Sequence, residues 1–576
     1  LSRFEGTQPM GRLNGQVFRQ FWTIAKTYWF SEEKWQARGL LLGVVLFLLA
    51  YTGLSVVLNS KRGVLISALS AKDESRFWET VVIFIGVLVL YAPLLAGYRY
   101  LRDRLSLQWR RWLTNRFLDN YFGDRAYYKL STSNGEIDNP DQRIAEDIRS
   151  FTQESLSFLL VLVESVLAVI AFSGVLWGIS RPLVLFLSLY AIVGTLVTTV
   201  VFGKPLVRLN FEQLKKEADL RFSLVRVREN AEAIAFYHGE EQEVQQVKYR
   251  FLEVFDNVKR LLLWELNLNV LTNAYEFIPF ILPALVVAPA IFAGELEVGK
   301  VSEAQGAFIR VFFSLNVVVA RFQALTTFGA GINRLYTFAE FLEQTAPVEA
   351  SDATQKPIIE TLTADRLALE HLTLQTPNYQ RTLVEDLSVA VLPGQGLLVM
   401  GSSGCGKSSL LRAIAGLWNS GSGTIVRPDA DQILFLPQRP YMVLGTLRDQ
   451  ILYPNTNIEV DDQHLKQILE QVNLADLDER FGGFDAQRDW ADVLSLGEQQ
   501  RLTFARLLLQ KPKYAILDEA TSALDTPNEA GLYQNLQAIG TTFLSVGHRS
   551  TLTEYHQSVL ELSPTTWQVK AVAVSQ

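Results

Sequence analysis

Gly401-Ser-Ser-Gly-Cys-Gly-Lys-Ser-Ser409 has the spacing G-x-x-x-x-G-K-[ST], with Gly401, Gly406, Lys407 and Ser408 at its fixed positions. Residue types in this order make an anion cradle. The backbone N–H groups of Gly401, Ser402, Ser403, Gly404, Cys405 and Gly406 can turn inward around a β-phosphate, and a following helix aims its N-terminus at the same charge. Lys407 can reach β- and γ-phosphates, the Ser408 hydroxyl suits Mg²⁺, and Ser409 continues the helix start. Gly396–Met400 reads as a buried strand and Leu410–Ala415 as a helix. Strand, loop and helix therefore arrive in the order the pattern requires.

Further polar groups with matching chemistry occur downstream at strand and helix ends. Ile433–Leu436 reads as a strand that delivers Gln438, a neutral amide able to sense Mg²⁺ and an attacking water. Tyr514–Leu517 is an apolar strand ending in adjacent carboxylates. Asp518 can hold Mg²⁺ through water, and Glu519 can act as general base toward the attacking water. Phe543–Val546 is a strand leading to His548; a lone histidine is usually structural, but this one sits at the strand end from which a γ-phosphate can be contacted. Ser495 and Gly497 open a helix whose N-terminal end suits a second anion-binding face, with Glu498 beside them. Ser522–Asp525 reads as a loop after the carboxylates. Tyr379, 22 residues before Gly401, is open between stacking on a purine and a purely structural role. Cys405, the single cysteine, excludes an intrachain disulfide framework and a Cys-based metal cluster. The thiol is either an inert, partly buried group or one that a bound nucleotide shields.

The elements that position these residues differ sharply between the two parts of the chain. A length of 576 residues allows roughly three to four units. The net charge of −7 gives no basic field for nucleic acid, so no nucleic-acid partner is expected. Long uncharged runs fill the first 340 residues, whereas residues 366–576 have the patterning of a water-exposed α/β domain. Leu1–Gly15 is polar and lacks the apolar stretch of a signal peptide, and a start at Leu reads as a trimmed chain.

Residues 16–38 mix aromatic and basic side chains, which predicts an amphipathic helix in a membrane interface. Uncharged spans come next at Gly39–Leu58, Thr80–Tyr98, Ser155–Ile179 and Pro182–Gly203, a fifth within Leu261–Gly294, and a sixth near Ala304–Ala320. Segments 99–150 and 204–260 hold 10 and 11 Lys/Arg, against four in 59–79. The positive-inside rule places these segments in the cytoplasm, and six crossings bring both termini there. The same two segments read as long helices that continue the spans. Within them, Asn139–Ile148 and Glu229–Glu241 are compact polar patches, open between solvated helix surface and a specialised role. In the first, Asn139, Pro140, Asp141, Glu146 and Asp147 are the candidates for coupling the two parts of the chain. Glu164, Glu276 and Arg310 lie inside apolar spans, with Glu265 and Arg321 nearer the ends. Such charges line a cavity, pair between helices, or snorkel to an interface. Residues 342–365 lose periodicity and read as a linker. The predicted order is an N-terminal interfacial helix (1–38), an all-α transmembrane domain of six helices (39–341), a linker (342–365) and an α/β P-loop nucleotide-binding domain (366–576).

Taken in order, Gly401–Ser408, Gln438, Leu494–Glu498, Ile516–Glu519, Ser522–Asp525 and His548 resemble the Walker A, Q-loop, signature, Walker B, D-loop and H-loop of ABC transporters. The signature departs from Leu-Ser-Gly-Gly-Gln at Leu496 and Glu498 while keeping Ser495 and Gly497. Gly404–Leu410 with Gly416–Trp418, Leu436–Met442, Gly445–Gln450 and Tyr453-Pro454 resemble subfamily D, the peroxisomal fatty-acyl and lysosomal cobalamin transporters. Asn139–Gln142 with Glu146-Asp147, and Ile234–Tyr237, are similar to that group's membrane-domain motifs. The Leu494–Arg501 wording is also similar to bacterial SbmA/BacA-like uptake proteins, which suggests a prokaryotic relative.

The resemblance implies a half-transporter with an exporter-type membrane fold, working as a homodimer in a bacterial inner membrane with its ATPase in the cytoplasm. ATP and Mg²⁺ are its expected cofactors, and Asp525 joins the nucleotide-binding residues. A single cassette would present Ser495 and Gly497 away from its own phosphate loop, so a second copy is expected to complete each ATP site. The expected activity is ATP-driven transport of an amphipathic or moderately large organic solute: fatty-acyl, cobalamin-like or peptide. An ATP-gated channel or regulator on the same scaffold is the alternative, and a soluble cassette ATPase acting on DNA or ribosomes conflicts with the spans. The motifs set neither solute nor direction.

Overall fold

The computed structural model describes residues 15–132, 137, 139–317, 321–345, 357–455, 458–563 and 566–572. The chain divides into two units, Leu1–Ser351 and Asp352–Gln576, inside the expected linker. That linker is shorter than its composition suggests. Phe322–Thr345 is one helix and Glu360–Thr363 is a strand, while residues 346–356 lie outside those described. The polar start over residues 1–14 lies outside them too.

The N-terminal unit is helical. Its first amphipathic segment is two pieces rather than one: helix Gly15–Trp29 ends, and Lys34 already begins the first long apolar helix. Ser31 closes the turn between them, donating its hydroxyl to the Tyr28 carbonyl at 2.7 Å and accepting from the Glu33 N–H at 3.2 Å. Gln20, Ile24, Ala25 and Tyr28 face inward, with Tyr28 stacked on Trp109, while Phe18 and Trp22 face outward.

Among the described residues, five runs are long and apolar enough to cross a membrane, beginning at Lys34, Glu74, Pro140, Arg181 and Glu240. The expected sixth falls on Gly299–Leu315, whose 17 residues rise only about 26 Å, and its predicted end at 318–320 lies outside the described residues. The spans run unbroken into the charged segments: Glu74–Phe122 has 49 residues and Glu240–Phe292 has 53, each far longer than a bilayer needs. Pro93, Pro279, Pro283 and Pro289 sit within these helices, as membrane helices tolerate.

Packing between the apolar helices is close where side chains are small. A Cβ on Gly299 would lie 1.8 Å from the Gly63 carbonyl, so only glycine permits this approach of helix Gly299–Leu315 to helix Lys34–Ser70. The Gly299 N–H donates to Ser67 Oγ at 3.0 Å, and Asn59 donates to the Glu303 carbonyl at 2.9 Å. Tyr190 and Tyr275 stack at 4.4 Å and each donates its hydroxyl to the other's backbone carbonyl, joining helices Arg181–Thr198 and Glu240–Phe292.

Both polar patches singled out in the sequence fall at breaks between long helices. Asn139 takes φ +42 and leads into Pro140–Asp147, which docks on Phe322–Thr345. Buried Arg143 donates to the Arg334 carbonyl at 2.6 Å, and Arg334 pairs with Asp147 at 3.2 Å. Gln142 bonds Glu146 at 3.0 Å. The second patch is the short helix Ala231–Tyr237, closed by His238 at φ +52, with Phe236 and Tyr237 strongly exposed.

The C-terminal unit is α/β. Its main sheet has the order β12-β11-β4-β10-β9-β6. Strands β4 (Gly396–Gly401), β6 (Ile433–Leu436), β9 (Tyr514–Asp518), β10 (Thr542–Val546) and β11 (Ser558–Ser563) run parallel, and β12 (Thr566–Ala571) is antiparallel. A second sheet, β1-β5-β2-β3, joins Glu360–Thr363, Gly421–Arg427, Leu367–Gln375 and Thr382–Val391. The central parallel strands are mostly apolar because both faces are covered: β9 reads Tyr-Ala-Ile-Leu before its aspartate, and β10, Thr-Phe-Leu-Ser-Val, is buried throughout.

Candidate functional site

Register in the main sheet sets the site. Val546 pairs with both Asp518 and Val399, and Leu436 pairs with Leu517, so four parallel strands end at one level. At that level lie the phosphate loop after β4, Gln438 after β6, Asp518-Glu519 at β9 and His548 after β10. The carboxyl ends of parallel strands are where α/β sheets bind ligands.

The phosphate loop has the backbone its glycines predict. A Cβ on Gly401 would sit 2.3 Å from the Leu562 carbonyl, which excludes any larger residue. Lys407 is buried and folds back, donating from Nζ to the carbonyls of Gly401 at 2.7 Å and Ser402 at 3.0 Å. Its charge thus stays inside the loop. Cys405 is buried, whereas Ser402, Ser403, Gly404 and Ser408 are exposed at the mouth and Ser409 is half-buried.

Glu519 adopts φ +47, a conformation that costs a non-glycine residue about 1–3 kcal/mol and marks functional sites. Its N–H donates to the Val546 carbonyl at 3.0 Å, which pins the strained residue to β10. Gln438 Nε2 donates to one carboxylate oxygen at 2.7 Å, and His548 Nε2 lies 3.2 Å from the other. Three groups read separately from sequence therefore meet on one carboxylate. Burial, and then the neighbouring Glu519 charge, push the Asp518 carboxyl above its ordinary value, while Arg412 and Lys407 pull it back. Ser408, Gln438 and Asp518 supply hard oxygen donors, the set that Mg²⁺ prefers.

Ser495 and Gly497 do not join this group. Ser495 caps helix Leu496–Gln510 in a capping box with Glu498, and Gly497 lies against Ala523 and Leu524. Signature and D-loop thus form one continuous face. Asp525 caps helix Thr526–Ala538, accepting from the Asn528 N–H at 3.1 Å. Tyr379 sits at φ +60 in the turn between β2 and β3, with its hydroxyl 3.2 Å from the Pro357 carbonyl.

Sequence reading missed the side chains that hold these loops in place. Gln500 is fully buried: it donates to the Gln438 carbonyl and to Ser522 Oγ, both at 3.2 Å, and accepts from the Ala523 N–H at 3.0 Å. Arg549 donates to the carbonyls of Leu524 at 2.7 Å and Ser522 at 3.1 Å, and lies 3.4 Å from buried Glu529. Glu529 also accepts from Thr521 and Thr551, each at 2.8 Å. Gln500 lies inside the signature stretch and Arg549 is the next residue after His548, and those positions were the only signals available.

In the membrane unit, Arg310 pairs with Glu164 at 2.9 Å, and Tyr51 lies near the same carboxylate. Between pairing and snorkelling, the structure selects pairing for these two. Glu276, next to Tyr275, is half-buried and makes no ion pair among the described residues. The same holds for Glu265, and Arg321 bonds Ser157 at 3.3 Å.

Comparison with known proteins agrees with this division. The family described as ABC transporter transmembrane region 2 matches residues 24–292, and the ABC transporter family matches 384–522. An uncharacterized ABC transporter ATP-binding protein of Synechocystis is 47% identical over 94% of this chain and 83% of its own length. The chloroplastic ABC transporter D family member 2 of Arabidopsis thaliana is 42% identical over 95% and 86%. The lysosomal cobalamin transporter of Homo sapiens is 32% identical over 97% and 96%. The chain belongs to the ABC transporters, carries membrane and ATPase units in one polypeptide with subfamily D relatives, and couples ATP hydrolysis to transport across a membrane.

Proposed function

We propose that the protein is a homodimeric half-transporter of exporter-type architecture with six spans per copy, the sixth including Gly299–Leu315. It carries an amphipathic or moderately large organic solute by alternating access. The observation that carries the reading is the separation of two surfaces within one ATPase unit. Gly401–Ser409, Gln438, Asp518, Glu519 and His548 converge at the sheet edge, while exposed Ser495 caps a different helix and half-buried Gly497 lies against the D-loop. Head-to-tail pairing of two copies gives each phosphate loop the other's Ser495 and Gly497, making two equivalent sites.

Within such a site the phosphate loop and Lys407 bind the triphosphate, with Tyr379 against the base and Asp525 at the dimer seam. Mg²⁺, held by Ser408, Gln438 and Asp518, would neutralise charge on the β- and γ-phosphates. Glu519 accepts a proton from the water whose oxygen attacks the γ-phosphorus, and ADP leaves with the broken P–O bond. Gln438 and His548 orient Glu519 and the γ-phosphate. Closure on ATP and reopening after hydrolysis switch the membrane unit between access states, with Asn139–Asp147 as one coupling element.

The Glu164–Arg310 pair with Tyr51 is a polar cluster amid apolar helices and supports a solute path there, with Glu276 further along it. The solute classes are fatty-acyl, cobalamin-like and peptide. The relative named for lysosomal cobalamin transport favours testing the second early. The lysine- and arginine-rich segments support placing the ATPase unit in the cytoplasm, and the likeness to the Synechocystis protein supports a bacterial inner membrane.

The experiment is reconstitution in liposomes of defined orientation, with uptake of each class measured with and without ATP. Glu519→Gln is expected to keep ATP binding and closure while hydrolysis falls by about 10²–10⁴-fold. Wild-type-like turnover by this variant excludes Glu519 as the base, and solute-independent ion currents on ATP addition replace transport with gating.

A further inference from the structure

Glu498 places a carboxylate where the proposed dimer brings a second copy's γ-phosphate. At the third position of helix Leu496–Gln510 an acid is locally favourable, since it answers the helix dipole and completes the capping box. Beside a phosphate the same charge is repulsive. The structure contains a compensating group. Arg480 Nη1 donates to Glu498 Oε1 at 2.7 Å, while Glu498 Oε2 accepts from the Ser495 N–H at 2.9 Å and from its hydroxyl at 2.8 Å. Arg480 also lies 3.8 Å from Asp476 and 5.1 Å from the Phe481 ring centre, and it comes from the separate short helix Leu477–Phe481. The Glu498 side chain is only 14% exposed, so its charge is poorly screened by water. Burial pushes its carboxyl up, but Arg480 and Ser495 outweigh that and hold it below the ordinary value, so Glu498 is ionised at neutral pH.

Ser495 has a single hydroxyl proton, and it is given to Glu498. A γ-phosphate can accept that proton only if Ser495 turns away from Oε2. Glu498 then keeps the Ser495 N–H and Arg480, and among the described residues Arg480 is the one cation paired with it. We propose that Arg480 is a positioning residue for ATP turnover. Acting through Glu498, it cancels the carboxylate's charge toward the partner's γ-phosphate and allows the Ser495 hydroxyl to exchange from carboxylate to phosphate. This rests on the composite-site reading above. It also accounts for the departure of this signature from a neutral glutamine: the extra acid comes with its own base.

The test uses the full-length protein in lipid nanodiscs, comparing wild type with Arg480→Ala, Arg480→Lys, Glu498→Gln and the double variant Arg480→Ala/Glu498→Gln. Arg480→Ala is expected to raise KM for ATP about tenfold, with kcat at saturation within about twofold, as for one uncompensated charge near a phosphate in a partly hydrated site. Arg480→Lys restores most of the affinity, and Glu498→Gln in the Arg480→Ala background returns KM to near wild type. An unchanged KM in Arg480→Ala overturns the proposal. So does a double variant no better than the single one, since a purely structural arginine would not be rescued by neutralising Glu498. ATP-driven approach of the two ATPase units, measured by spin-label distances in the Glu519→Gln background, separates the two levels. No approach overturns the composite site itself. Approach at the same ATP concentration with and without Arg480→Ala leaves the composite site standing and overturns only the role of Arg480.

Discussion

Gln500→Leu is the most informative single perturbation of the ATPase unit, because one buried side chain ties together two separate loops. The substitution preserves volume approximately and removes all three of its hydrogen bonds. The Ala523 N–H, left without its acceptor inside the fold, costs about 1–3 kcal/mol, and the two lost donor bonds cost about 0.5–1.5 kcal/mol each. A total near 3 kcal/mol lowers the melting temperature of a domain of this size by about 6–12 °C. The kinetic effect is separate. Gln438 is held through its carbonyl and the D-loop through Ser522 and Ala523, so losing Gln500 loosens the amide that touches Glu519 and the face that carries Gly497 together. Misplacement of reacting groups by about 1 Å costs roughly 100-fold, so turnover in the surviving folded protein should fall at least tenfold while ATP still binds. The assay is calorimetric unfolding of the full chain alongside ATPase rates well below the variant's melting point. A melting temperature within about 2 °C of wild type would refute the satisfaction argument. Normal turnover would refute the claim that the loops are set through Gln500.

Lys407→Ala removes the buried ammonium that now bonds the carbonyls of Gly401 and Ser402, and should weaken nucleotide binding by at least about tenfold in equilibrium titration. Cys405 is buried within the phosphate loop, so saturating ATP should slow its alkylation by about tenfold, and an unchanged labelling rate would contradict that placement. His556 provides a pH test. Burial holds its imidazole at about 4, against an ordinary 6.5, with Nδ1 2.6 Å from the Leu552 carbonyl. The unfolded chain takes up a proton as pH drops through 6.5 and the folded chain does so only near 4. The ATPase unit should therefore lose about 3 kcal/mol between those two values, and His556→Gln should flatten the loss in chemical denaturation curves.

How much was legible in the sequence depends on how local each feature is. The phosphate loop is a nine-residue code whose backbone, buried lysine and flanking strand and helix all come from neighbours in the chain, so sequence alone suffices for it. Gln438, Glu519 and His548 were each visible as a polar residue closing an apolar strand. Their meeting on one carboxylate depends on strand order β4-β10-β9-β6, which no single stretch contains. The polar patches at Asn139–Ile148 and Glu229–Glu241 stood out because breaks between long helices need turn formers. Boundaries were harder. Residues 16–38 mix aromatic and basic side chains on both sides of residue 31, and the Ser31 turn shows that one helix ends there and another begins.

Arg480, Gln500 and Arg549 mark the opposite limit. An arginine or glutamine in a polar stretch is indistinguishable by pattern from solvated surface, and what distinguishes these three is a partner 18 to 62 residues away. The intramembrane charges show the same logic with a different outcome. Their cost in an apolar span made Glu164 and Arg310 conspicuous from sequence, but their separation by 146 positions hid their mutual partnership. Pairing removes most of the reason to regard each charge as exceptional on its own. It also sharpens the functional argument, because any solute that reaches Arg310 must compete with Glu164. Breaking that competition with Glu164→Gln should therefore tighten binding of a carboxylate-bearing solute, whereas a pair that serves only to join helices would respond with lost stability and unchanged solute affinity.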